Sequence, residues 1–316
     1  MMQKLKHPRF LSLLAVFFLL FVTACHDVEI PEPPGQTAHA YDSQVVLRWN
    51  DVFLNIDKHA KGYRPGPGPR TLSYLGLAAY EATVAGIPEN KSLKIYYSGL
   101  NIPDAEAGAA YHWPTCVNET YYYLMRRFFF HMENDPSGVF PEIDLVHDQL
   151  SAQYAAEASP EAYARSVAYG IAVAKAVYEW SETDAVGHDA FLEPQPAAYV
   201  PPSGPGRWQP TWPDYGRAMF PYWGQVRTFA LRSQDKLGKQ PVPYSEDSTS
   251  VFYGQAMEVF NTVNLIRNPQ TQAEIAYAYE QYWMGIFWSD DILNLTFAPP
   301  SRLIAVANQE IGRAHV

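Results

Sequence analysis

"SPEAYARSVAYGIAVAKAVYEW", residues 159–180, decides the class of this fold. Ser159 has the side chain of an N-cap, Pro160 suits the first helical position, and Glu161 places an anion at the positive end of the helix dipole. Tyr163, Val167, Tyr169, Gly170, Ala174 and Val177 then return at helical spacing along one face. The stretch reads as a long amphipathic helix, and its logic recurs along the chain.

Val45, Val46, Trp49, Val52, Phe53 and Ile56 keep the same spacing behind Asp42 and Ser43, so a helix begins near residue 43. The turn-rich "KGYRPGPGPR" (61–70) ends it, and "RTLSYLGLAAYEATVAG" (70–86) is apolar on most sides, as a deeply buried helix is. Further helices are expected over 114–133, 140–157, 245–263 and 270–289, the last opened by Asn268 and Pro269 and lined by Ile275, Tyr279, Tyr282, Trp283 and Ile286. A final one begins at Pro299-Pro300-Ser301, with Leu303, Ile304 and Ala307 starting an apolar face. No run alternates with period two for long, so the class is all-α.

Residues 185–245 differ, being crowded with Pro, Gly, Trp and Tyr. Proline density forbids a helix there, and the tryptophans of the segment are expected to lie against the helical body, either shaping a cavity mouth or simply packing.

The chain has 316 residues, 47% of them hydrophobic, which is ample for a large core. A net charge of −10 with only 23 Lys and Arg excludes a generalised nucleic-acid surface. At the N-terminus, Lys4, Lys6 and Arg9 precede an apolar run from Leu11 to Val22 and the small-residue site Thr23-Ala24-Cys25. Residues 1–24 therefore read as a signal peptide, and Val22-Thr23-Ala24-Cys25 resembles the bacterial lipobox, which implies a lipid on Cys25 and an exported protein held at a membrane of the cell envelope. Residues 25–42, rich in Pro and polar side chains, are expected to be an extended tether. Cys116, the second of two cysteines, then has no disulfide partner and reads as a small buried hydrophobe or as a nucleophile without an assignable base.

The nine histidines form no His-x-x-x-His or Glu-x-x-His pair, and no Gly-x-Ser-x-Gly, phosphate loop or dinucleotide fingerprint occurs. Asp144, His147 and Asp148 share a helix face that is either solvated or a metal site, with solvation the simpler account. Asp290 and Asp291 follow a helix, as capping charges or as the border of a pocket.

Four stretches together, "YRPGPGPRTLSYLGLAAYEATVAGIP" (63–88), "YHWP" (111–114), "PTWPDYGRAMFPYWGQVRTFAL" (210–231) and "GIFWSDD" with "PPSRLIAVANQ" (285–309), resemble the N-terminal part of bacterial vanadium-dependent haloperoxidase-like proteins of the type 2 phosphatidic acid phosphatase superfamily. The resemblance spans residues 44–309. It implies a helical bundle of the haloperoxidase or acid phosphatase type whose site holds vanadate or phosphate. The substrates implied are halide and hydrogen peroxide, or a phosphoester hydrolysed through a phosphohistidine.

The family signature comprises Lys, six residues and Arg-Pro, then Pro-Ser-Gly-His, then Ser-Arg, five residues, His, three residues and Asp. Cations there neutralise the charge that develops on the oxyanion, and the histidines act as ligand or nucleophile and as acid or base. None of the three parts is present: Lys58 precedes Arg64-Pro65 by five residues, and Pro202-Ser203-Gly204 is followed by Pro205. No catalytic residue carries over, and vanadate is expected only for a longer family member.

In the family, "PPSRLIAVANQ" precedes the whole signature. The codons ATC GGA AGA GCA CAC GTC TGA, which open a common short-read sequencing adapter, translate to Ile-Gly-Arg-Ala-His-Val and a stop. Residues 310–316 are therefore expected to be a non-biological tail on a truncated gene, so that Arg313 and His315 carry no functional weight. The rival reading, from another class, is a helical surface lipoprotein that binds glycans, which the acidic balance and the many Trp and Tyr would suit.

Overall fold

The computed structural model describes residues 35–232, 235, 238–289 and 297–314, the last three of these by backbone alone. The signal peptide, Cys25, residues 26–34 of the tether, Asp290, Asp291 and His315 lie outside the described residues.

Eight α-helices and no strand occur among the described residues, so the chain is all-α. They are α1 (Gln44–Asp57), α2 (Pro67–Thr83), α3 (Trp113–Phe128), α4 (Pro141–Glu157), α5 (Pro160–Glu182), α6 (Val251–Arg267), α7 (Gln272–Trp288) and α8 (Pro299–Ala314). None is long and apolar enough to cross a membrane. Ser159 caps α5 as its sequence suggests, its Oγ accepting from Ala162 N at 3.1 Å. The face of α5 that enters the core runs through Ala162, Ser166, Tyr169, Gly170, Val173, Ala174, Val177 and Trp180, while Tyr163 and Val167 sit at its margin.

Helix α3 lies at the centre, packed against α1, α2, α4 and α5. Trp49 of α1 is fully buried, stacks on Tyr121 and donates from Nε1 to Asn118 Oδ1 at 3.0 Å, so the indole N–H is satisfied inside the core. On the other side of α3 the backbones of α3 and α5 nearly touch. A Cβ on Gly170 would stand 2.4 Å from Cys116 O and 3.0 Å from Cys116 Cα. Thr120 Oγ1 fills the same seam, with Cys116 O and Gly170 O as acceptors at 2.7 and 3.1 Å.

Three expectations are corrected. Residues 35–42 do not form a free tether: Trp113 Nε1 donates to Gln36 O at 2.9 Å, and Tyr41 meets His112 edge-on, so the fold starts before residue 43. Helix α7 is opened by Thr271 rather than Asn268-Pro269, because Thr271 and Glu274 form a reciprocal capping box. In the 185–245 segment Trp208 and Trp212 remain 50% and 78% exposed. Both lie in an exposed, non-helical run that contains Pro205, Pro210 and Pro213, and Trp223, Val226 and Phe229 make the contact instead, Trp223 lying where any side chain on Gly66 would be.

Helices α6 and α7 pair with each other and bury only Ala278. The apolar face expected on α7 exists, but Ile275, Tyr279, Tyr282 and Trp283 are all exposed. Helix α8 packs on α1 by a polar clasp: Asn50 Nδ2 donates to Asn308 Oδ1 at 2.9 Å, Asn308 Nδ2 to Asp51 Oδ1 at 3.2 Å, and Ala298 N to Asp57 Oδ2 at 3.2 Å. Its Leu303 and Val306 face outward.

Replacing Gly170 with Ala must therefore part α3 from α5. The expected loss is about 1–3 kcal/mol, read as a lower midpoint in urea unfolding. The same change at Gly76, where a Cβ meets nothing, should leave the midpoint unchanged or raised.

Candidate functional site

The Pro- and Trp-rich segment does border a cavity, an open groove of about 790 Å³ between the start of α2 and residues 223–231. Pro65, Gly66, Arg70, Trp223, Arg227 and Phe229 are among its walls. Arg70 stands in the first turn of α2 and reaches Asp184, just beyond the end of α5. Its Nε donates to Asp184 Oδ2 at 3.1 Å, and its Nη2 donates both to the same oxygen and to Tyr74 Oη, the latter at 2.6 Å.

Asp184 also accepts from Gly187 N at 3.2 Å and Arg227 N at 3.1 Å. Burial alone would raise its carboxyl, but Arg70 and the two amides outweigh this and hold it below the usual carboxylate range. Arg227 caps the C-terminal end of α5: Nη1 donates to Trp180 O at 2.6 Å, Nη2 to Thr183 Oγ1, and the guanidinium lies 4.2 Å over the Trp180 ring.

An oxyanion site needs convergent donors with charge to spare. Here an incoming vanadate or phosphate would have to take Arg70 from Asp184 and then lie beside the carboxylate it displaced. The residues of the groove do not fit such a group, and the two guanidiniums act as struts.

A second constellation nearby has the outline of a catalytic triad. Ser181 Oγ lies 3.0 Å from His188 Nδ1, and His188 Nε2 lies 3.8 Å from Asp189 Oδ1. Ser181 is fully buried and gives its proton to Tyr178 O at 2.6 Å, so its oxygen can only accept from His188. A serine that receives a hydrogen bond from the imidazole is not activated by it. The carboxylate is also too distant to orient the ring.

The sequence candidates separate. Cys116 is fully buried in the core cluster, as a small hydrophobe is, and that burial pushes its thiol up to about 12. Asp144 takes Arg126 Nη1 at 2.6 and 2.7 Å, whereas His147 turns to Glu119 at 3.0 Å and stacks on Tyr122. Burial works against protonation of His147, but the carboxylates of Glu119 and Asp148 prevail and raise it above the ordinary imidazole value.

Among the described residues no three His, Cys, Asp or Glu side chains are placed to hold a metal ion. Lys58 covers the Phe297 ring, Arg64 donates to Asp57 O at 3.1 Å, and Pro202 to Pro205 are exposed irregular chain leading into the turn closed by Arg207 N and Gly204 O, so the partial signature matches do not converge. Sequence reasoning did not find Arg70, Asp184 and Arg227, which are separated by 114 and 43 residues. The one available signal was that Arg70 and Arg227 both lie in stretches carrying the family resemblance.

Compared with family models the chain finds no match, and no curated protein matches it.

Asp184→Asn should remove the charge partner of buried Arg70 and cost about 3–5 kcal/mol. Because the folded carboxyl is depressed, its contribution is present above the unfolded value near ~4 and is lost as pH falls through the folded one. Urea midpoints measured from pH 7 down to pH 3 should fall more steeply for the parent chain than for the Asn variant.

Proposed function

We propose that residues 44–309 are the N-terminal helical scaffold of an exported, lipid-anchored enzyme of the vanadium-dependent haloperoxidase or acid phosphatase type, and that the scaffold by itself has no turnover. One observation carries this reading: stretches of the resemblance that are far apart in sequence gather around α2. Trp113 of "YHWP" lies against Gly86, Trp223 of the 210–231 stretch against Gly66, and Phe229 edge-on to Tyr74 at 4.8 Å. At the foot of the same helix, Ala298, next to "PPSRLIAVANQ", bonds Asp57, which in turn is paired with Arg64 at 3.7 Å. Residues that carry a family pattern and also form one packed unit support a shared architecture more than scattered matches do.

Two further features agree with the scaffold role. The arginines that the groove presents are bound to protein partners, so the charge that phosphoryl transfer or halide oxidation requires has to come from other sequence. The aromatic face of α7 is also uncovered, as in a helical layer that awaits a neighbour.

On this reading the purified chain neither broadens the vanadium-51 resonance of vanadate nor hydrolyses p-nitrophenyl phosphate nor brominates a phenol with peroxide. The genomic locus, read past the Gln309 codon, encodes the Lys, Arg and His of the signature. Turnover by this chain, or a locus without those residues, would overturn the proposal.

A further inference from the structure

A second cavity, of about 460 Å³, shares no residue with the groove at Arg70 and lies between residues 40–48 and the C-terminal half of α4. We infer that it binds a neutral polyhydroxylated ligand, a single sugar ring or a disaccharide. Its size falls within the roughly 300–1,000 Å³ of small-ligand sites.

The polar groups of this cavity are held in fixed senses. Gln149, Gln153 and Glu157 follow each other at four-residue spacing along α4 and form one ridge of the cavity wall. Arg48 Nη2 donates to Gln149 Oε1 at 3.0 Å, which turns the NH₂ of that amide outward as a donor. Gln153 Nε2 donates to Glu157 Oε1 at 2.8 Å, which leaves Gln153 Oε1 and Glu157 Oε2 as acceptors. A row that offers a donor beside acceptors matches neighbouring hydroxyls, since each hydroxyl both gives and takes a hydrogen bond.

Beneath the ridge lies Tyr154, 4% exposed, with Tyr41 on the facing wall. Half-buried Tyr41 gives a sugar an apolar surface, whereas Tyr154 meets the cavity only at its rim, and each phenol adds a polar tip. Burial raises the Tyr154 hydroxyl well above its ordinary value, so it remains a donor.

Other ligand classes suit the cavity less well. Asp42 and Glu157 set two carboxylates against the one guanidinium of Arg48, which opposes an anion. An apolar ligand would strip water from the ridge without replacing its hydrogen bonds. An organic cation would be drawn by the two carboxylates but would find Arg48 on the same wall, so it is the competing probe in the test.

A buried group also points to this wall. His112 is 3% exposed, wedged between Tyr41 and Tyr154 with centroids 5.0 and 5.1 Å away. Its Nδ1 pairs with Thr115 Oγ1 at 2.8 Å, and its Nε2 stands 3.4 Å from Glu157 Oε2, a long and weak contact. His112 is thus a positioning residue: it lies behind Glu157, 3.4 Å from Oε2, and helps to fix the carboxylate that meets the ligand. None of these residues belongs to the groove at Arg70, so this inference and the oxyanion reading stand or fall separately.

Saturation-transfer NMR on the full chain, with D-glucose, N-acetyl-D-glucosamine and maltose each at about 10 mM, tests it against sodium phosphate and trimethylammonium as comparison probes. The expected result is transfer from tyrosine protons to the ring protons of at least one sugar, reduced at least about fivefold by the double variant Gln149→Ala/Glu157→Ala. Both of those positions are exposed, so the variant should retain the parent's near-ultraviolet circular dichroism. Tyr154→Phe, which removes only a hydroxyl, should weaken the signal in the same direction. The inference is overturned if a folded chain gives no transfer to any of the three sugars, if the double variant binds as well as the parent, or if a charged probe is preferred.

Discussion

Backbone contact between α3 and α5 is the constraint on which the other packing depends. Ser166, Gly170 and Ala174 recur at four-residue spacing on α5 and give it a flank with little side chain, so that α3 can lie against its main chain. The hydroxyls at the seam turn this closeness into hydrogen bonds. Ser166 Oγ accepts from His112 N at 2.8 Å and donates to Ala162 O at 2.7 Å, and Thr120 is shared between the two helices. With α3 fixed in this way, its remaining faces hold Trp49 of α1, Tyr74 of α2 and Ile143 of α4 in a single buried cluster.

The same economy governs charge. Arg70 joins the start of α2 to the end of α5 through Asp184, Arg227 fastens the long irregular segment to the Trp180 carbonyl and the Thr183 hydroxyl at the end of α5, and Arg126 ties α3 to Asp144 of α4. A guanidinium surrounded by such partners is a joint between elements. Chemistry at an oxyanion asks the opposite of a cation, namely that its nearest permanent anion be the ligand. In this part of the molecule the arginines serve cohesion.

Local signals proved easier to read than distant ones. The start of α5 was legible because Ser159, Pro160 and Glu161 sit side by side and each acts within one turn. The start of α7 was misplaced by a few residues because Pro269 looks like a first helical residue, whereas Thr271 and Glu274 satisfy each other's backbone. Helix α6 begins at Val251, later than its apolar pattern suggests, because Ser250 provides the cap. For Trp208 and Trp212 hydrophobicity pointed inward, but whether an indole can reach the core depends on where its backbone runs, which side-chain hydrophobicity does not encode. The Arg70, Asp184 and Arg227 network was hidden for a different reason. Its members act across three separate segments, and nothing in the neighbours of any one of them announces the other two.

The clasp between α1 and α8 spans 258 residues between Asn50 and Asn308. At ordinary rates of ribosomal synthesis, that separation delays the arrival of the second partner by roughly 10–50 s. During this interval the waiting surface of α1 carries Asn50, Asp51 and Asp57, groups that water solvates well. A greasy surface left open for so long would invite capture by other nascent chains, whereas amide and carboxylate groups let the early helices consolidate and keep the place of the last one vacant until it emerges.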